Sequence, residues 1–344
     1  MALLVLSLIG CGGGSSPDSP DSGDPASDPG TPAAPTPTGT PTPPLQATSG
    51  PGGSDYRYPT SSSAHYGMNG TGYSLVLPEG AGSASLPVVY LLHGYGTLDL
   101  TPYQSWAEHL AKRGAIVIYP TYQVLFTTPV GDYTSNAVQG IQDALARVAA
   151  AGGVRADSSK VIAIGHSLGG VIAANITALA GSSGIPQPKA LMTINPGNND
   201  TGGLFVIPLE DLGQVPGSTL QLSLFSDRDQ RVPDDLARDI FAGTTAVSLA
   251  NKDYIIVNSD SHGIQPLDAD HFAALAGRDT NGALYPPDAL DYYGYWKLAD
   301  ALMSAAFENQ LRDVALGGGS TAQRYMGTWG DGVAVTPLTV TDHP

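Results

Sequence analysis

The chain has 344 residues, 42% of them hydrophobic and 13% charged, which is room for one large domain or two small ones. It carries 15 Lys and Arg against 31 Asp and Glu, a formal net charge of −16. That balance argues against nucleic acid or an anionic lipid surface as a partner. The single cysteine, Cys11, excludes an internal disulfide and a cysteine-ligated metal cluster.

Residues 2–10 form an apolar run that is too short to span a bilayer but suits the core of a signal peptide. The run ends in Leu8-Ile9-Gly10-Cys11, which resembles a bacterial lipobox. Residues 1–10 are read as a lipoprotein signal peptide, with Cys11 as the lipidated residue. One feature departs from the pattern: no Lys or Arg precedes the apolar run. Residues 11–55 read as a disordered tether, first Gly/Ser-rich, then Pro/Thr-rich. Residues 12–55 hold 11 of the 28 prolines and no Lys or Arg.

The foldable region is expected at residues 56–344. Strands are predicted at residues 73–77 (YSLVL), 88–92 (VVYLL), 115–119 (AIVIY), 161–164 (VIAI), 190–194 (ALMTI), 220–225 (LQLSLF) and 254–257 (YIIV). Short runs that are apolar on both faces belong in a parallel sheet covered on both sides. Helical spacing recurs at residues 103–113, 135–151, 168–180 and 290–311. Alternating strands and helices predict an α/β fold with a mostly parallel, doubly wound sheet. Residues 337–340 are a candidate short edge strand.

Gly165-His166-Ser167-Leu168-Gly169 is a G-x-S-x-G pattern. With 43 glycines in the chain the bare pattern is cheap, and its setting carries the weight. It follows a predicted strand and opens a predicted helix, as a nucleophile elbow requires. The sharp turn strains the Ser backbone, and side chains two positions either side would collide. The Leu168 N–H, at the new helix start, can face a developing oxyanion.

Over residues 73–311 the chain resembles the α/β-hydrolase superfamily, and within it secreted bacterial serine esterases and lipases of the dienelactone-hydrolase and carboxylesterase type. His93-Gly94-Tyr95-Gly96 is similar to the family's first oxyanion loop. The resemblance gives the second oxyanion donor to the Tyr95 N–H and a structural role to His93. Asp-x-x-Val-Pro after residues 220–225 implies Asp229 as the triad acid, with Asp227 the alternative. The base is expected at His262, a few residues past the last strand, with His271 the alternative. The order Ser167, Asp229, His262 is the order of this fold.

The activity implied is cleavage of carboxylic esters through an acyl-enzyme, outside the cytoplasm, with no cofactor or metal. Another acyl bond (peptide or thioester) and a non-catalytic surface binding role are the alternatives. Substrates are small or polymeric esters, the chain is expected to be monomeric, and it would meet a membrane only through lipid at Cys11. No large cap is expected between residues 194 and 220. Tyr95, Trp106, Tyr122 and Phe126 are candidates to line an acyl pocket. Residues 268–270 and 331–332 read as solvated loops, and residues 323–332 as an ordered wrap over the core.

Overall fold

The computed structural model describes residues 39–197, 206–278 and 281–344. The signal segment, Cys11 and most of the tether lie outside the described residues. The strands in chain order are β1 (Ser61–Tyr66), β2 (Gly72–Pro78), β3 (Ser85–Leu92), β4 (Ile116–Thr121), β5 (Arg155–His166), β6 (Ala190–Ile194), β7 (Leu220–Ser226) and β8 (Lys252–Val257). A two-stranded hairpin follows, β9 (Gly277–Arg278) and β10 (Leu284–Tyr285), and then β11 (Thr339–Thr341). The longer helices are α1 (Gln104–Arg113), α2 (Tyr133–Ala150), α3 (Leu168–Ser183), α4 (Asp235–Gly243) and α5 (Trp296–Glu308).

Among the described residues the main sheet has nine strands, ordered β1-β2-β4-β3-β5-β6-β7-β8-β11. From β4 to β8 every neighbouring pair is parallel. β1, β2 and β11 join antiparallel at the two edges. The period-two geometry of a strand sends alternate side chains to opposite faces. Val88, Tyr90 and Leu92 of β3 pack toward α2 and α3, while Val89 and Leu91 pack toward α1 and α5. This split is why the central strands read as unbroken apolar runs. The seven predicted strands are all present, as is the edge strand at the C-terminus. β1 went unread because its sequence, SSSAHY, is polar and mostly exposed, with no apolar alternation to see.

Residues 39–55 differ from expectation. They belong to the stretch whose composition reads as a tether, yet they are hydrogen-bonded to the domain. Gly330 N–H donates to the Thr42 carbonyl (2.9 Å), Tyr293 OH to the Leu45 carbonyl (2.9 Å) and Gly52 N–H to Asp300 Oδ2 (2.8 Å). Asp300 also pairs with His109 (3.0 Å) and Arg113 (3.1 Å), tying this arm to α1 and α5. The backbone finds partners there that composition alone does not reveal.

The C-terminal segment wraps the core as expected. Trp329 and Met326 are buried. Lys297 of α5 is buried too, and its Nζ donates to the carbonyls of Gln323 (2.8 Å) and Tyr325 (2.5 Å).

Candidate active site

Ser167 stands between β5 and α3 with φ 56° and ψ −127°, a conformation that L-residues rarely adopt. Such strain costs about 1–3 kcal/mol and persists only where the surroundings enforce it. Here they do. Ser167 N–H donates to the Ile194 carbonyl (2.9 Å), and Gly170 N–H to the Ser167 carbonyl (2.8 Å). A Cβ on Gly165 would lie 2.0 Å from the Gly169 carbonyl oxygen, and one on Gly169 2.2 Å from the Leu92 carbonyl oxygen. Both glycines of the motif are therefore sterically required.

His271 sits against the serine. Its Nε2 is 2.9 Å from Ser167 Oγ and its Nδ1 is 2.6 Å from Asp229 Oδ2. With a carboxylate at Nδ1, the ring donates from Nδ1–H and accepts the serine proton at Nε2. Burial of Asp229 works to raise its carboxyl pKa, but hydrogen bonds from His271 and from the Val232 and Arg231 amides outweigh it, and the net shift is downward. The carboxylate thus stays ionised beside the imidazole.

A family model for the alpha/beta hydrolase fold matches residues 90–207, which include both the His93–Gly96 loop and the Ser167 turn. The chain has an α/β-hydrolase fold. It is also 28% identical over 127 residues to the non-reducing polyketide synthase ascC of Acremonium egyptiacum. That stretch is 34% of this chain and 6% of the synthase, so the likeness is to a small part of a much longer protein.

In this fold the structure joins Ser167 to Asp229 through His271 and leaves His262 apart. His262 Nε2 bonds Asp331 Oδ2 (2.7 Å), and its ring stands 5.7 Å from that of Trp329. The reason is a detour in the chain. After β8, Asp260 and Leu267 exchange both backbone hydrogen bonds (2.8 Å each), closing residues 261–266 into an excursion. His262 lies on that excursion, and the chain reaches the sheet edge only at His271. Asp260 also holds the C-terminal segment, accepting from Thr336 N–H (2.7 Å) and Trp329 Nε1–H (3.3 Å). Asp331, expected in a solvated loop, is instead nine-tenths buried against His262.

Asp227, the alternative acid, accepts from Ser259 Oγ–H (2.6 Å) and N–H (3.0 Å) and so ties β7 to the loop after β8. Tyr95 and Leu168 line one cavity of about 290 Å³ with Ser167 and His271. Leu168 opens α3, so helix geometry gives its N–H no intrahelical acceptor. Of the other aromatic candidates, Trp106 and Tyr122 are in the core, and Phe126 is 88% exposed and outside this cavity. His93 donates from Nδ1 to the Gly94 carbonyl (2.7 Å) and stacks on Tyr122 at 4.1 Å. This is the loop-bracing geometry expected of it.

Sequence reasoning missed two further residues. His166 Nε2 lies 2.7 Å from the His271 carbonyl, and His166 Nδ1 lies 2.7 Å from Tyr103 OH. Gly94 N–H donates to that same hydroxyl (3.1 Å). The two ends fix the direction of the whole chain. The Gly94 amide can only donate and the His271 carbonyl can only accept. So Tyr103 donates to His166 Nδ1, and His166 donates from Nε2. Burial supports this neutral tautomer by holding the His166 pKa down to about 3. The relay connects the loop bearing Tyr95 to the loop bearing His271. The residue between Gly165 and Ser167 offered the signal, a polar side chain in a tight turn.

Proposed function

We propose that this chain is a serine hydrolase that cleaves carboxylic esters. The observation that carries the reading is the continuous set Ser167–His271–Asp229. His271 takes the Ser167 proton as Oγ attacks the acyl carbon, and Asp229 stabilises the imidazolium that forms. The N–H groups of Tyr95 and Leu168 are assigned to the oxyanion, where each donor is worth about 3–4 kcal/mol of barrier. His271 then passes its proton to the departing alcohol oxygen, and water repeats the sequence on the acyl-enzyme. The base is assigned to His271 in place of His262 on the geometry above.

The reading is tested with p-nitrophenyl butyrate and a fluorophosphonate label, on the wild type beside Ser167→Ala. Turnover and labelling that both vanish in the variant are expected. A folded wild type that neither turns over the ester nor takes the label would overturn the proposal.

The leader pattern at residues 1–11 supports an extracytoplasmic location with lipid at Cys11. Cys11→Ala should move the protein from the detergent phase to the aqueous phase after expression in a bacterium. Equal partitioning of both forms would refute it.

A further inference from the structure

A second, larger cavity adjoins the one over Ser167. Its volume is about 960 Å³. Its walls are residues 42–45 of the N-terminal arm, residues 264–268 of the excursion and residues 284–288 after the hairpin. Phe272 and Leu275 line both cavities, so the groove lies directly beside the reacting centre. Leu45, Ile264 and Leu284 stand on its rim at 85%, 81% and 65% exposure. Single exposed apolar residues are ordinary, but a cluster rimming one groove marks a binding surface.

The two volumes divide the substrate. Pockets for drug-sized ligands run to roughly 300–1,000 Å³. At about 290 Å³ the cavity over Ser167 holds the reacting carbonyl and short arms only, and a long arm must leave it.

We propose that the groove holds the alcohol arm of an uncharged ester with a long apolar alcohol, a proposal that rests on the esterase reading above. The direction follows from proton transfer. Oγ–C bond formation moves the Ser167 proton to His271 Nε2. When the C–O bond to the alcohol breaks, that proton goes to the alcohol oxygen, which must therefore lie at His271. The ring of the next residue, Phe272, stands perpendicular to that of His271 (centroids 5.3 Å, 84°), and the Tyr285 ring lies 6.2 Å from that of Phe272. These rings lead from the leaving oxygen into the groove. The four substituents of the tetrahedral carbon diverge, which leaves the acyl arm to the side lined by Gly197 and Val232.

Charge narrows the occupant. The groove is lined by Asp268, Asp270, Asp288 and Asp291, and no Lys, Arg or His lines it. Burial raises the Asp288 and Asp291 carboxyls toward the neutral form, and Arg228 pairs with Asp268 (3.2 Å). An arm ending in carboxylate or phosphate therefore finds no free cation among the described lining residues, whereas an uncharged arm needs none.

The test compares n-octyl with ethyl butyrate in a pH-stat, and p-nitrophenyl octanoate with p-nitrophenyl butyrate for the acyl arm. The wild type is run beside the double variant Ile264→Asp, Leu284→Asp. Each further methylene fully buried is worth about fourfold in kcat/KM. With partial burial the wild type should prefer the octyl over the ethyl ester by roughly tenfold or more. The double variant should reduce that preference below about threefold and leave the acyl ratio in place. An octyl ester no better than ethyl in the wild type overturns the proposal. So does a variant that shifts the acyl ratio and not the alcohol ratio. If no ester is turned over in a Ser167-dependent way, the esterase reading itself fails and this proposal falls with it.

Discussion

Two buried histidines should make the fold sensitive to mild acid. Burial holds the His93 pKa down to about 4 and that of His166 to about 3, against an ordinary value of 6.5. In the folded protein both are neutral at pH 5, while in the unfolded chain both are protonated. The unfolded state then binds more protons, so stability falls as pH drops below about 6.5, and the loss continues to the folded values. At pH 5 each unfolded histidine lies about 1.5 pKa units inside its protonated range. At about 1.36 kcal/mol per unit that is roughly 2 kcal/mol each, or about 4 kcal/mol for the pair. Urea unfolding followed by tryptophan fluorescence, at about pH 7.5 and pH 5, should show the midpoint falling by on the order of 1 M. Carboxylates also titrate, so variants isolate the two histidines. His93→Asn keeps a donor for the Gly94 carbonyl, and His166→Gln keeps one for His271. Whatever its own stability, each variant should show a pH-linked loss smaller than wild type by about 2 kcal/mol. If the loss between the two pH values is the same in wild type and both variants, the reasoning is wrong.

Asp229→Asn should leave urea stability nearly intact but lower kcat by about 10⁴, because an amide no longer holds the productive histidine tautomer. Single-turnover kinetics on p-nitrophenyl butyrate checks this. His271→Ala should abolish turnover, whereas His262→Ala should retain it within about threefold while loosening the C-terminal segment at Asp331, seen as faster proteolysis there. Equal losses in the two variants would contradict the assignment of the base. Gly165→Ala must displace the Gly169 carbonyl and should cost more than about 4 kcal/mol or prevent folding, read by circular dichroism and soluble yield. Lys297→Met should cost about 2–3 kcal/mol by stranding the buried carbonyls of Gln323 and Tyr325, measured by urea unfolding.

The central strands and the nucleophile turn were legible in the residues because their causes are local. An apolar run of five residues declares a strand covered on both faces. Glycines at 165 and 169 declare a turn whose flanking backbone leaves no space for a Cβ. Asp229 came from the resemblance of Asp-x-x-Val-Pro to the superfamily's acid loop, with Asp227 left open; the structure adds that the Asp229 carboxylate accepts from the amides of Arg231 and Val232, within three residues of itself.

The base was not decided that way. His262 and His271 are both plausible distances past β8 in sequence, and nothing local separates them. The closure of Asp260 on Leu267 separates them, and that closure is supported by Trp329 and Thr336, far along the chain. The relay through Tyr103 and His166 likewise joins residues from three segments, and the arm at residues 39–55 finds its partners at Tyr293, on α5 and on the C-terminal segment. Short-range sterics and hydrophobic periodicity are written into consecutive residues. Which histidine meets the serine depends on hydrogen bonds between distant segments, and those exist only once the chain has folded.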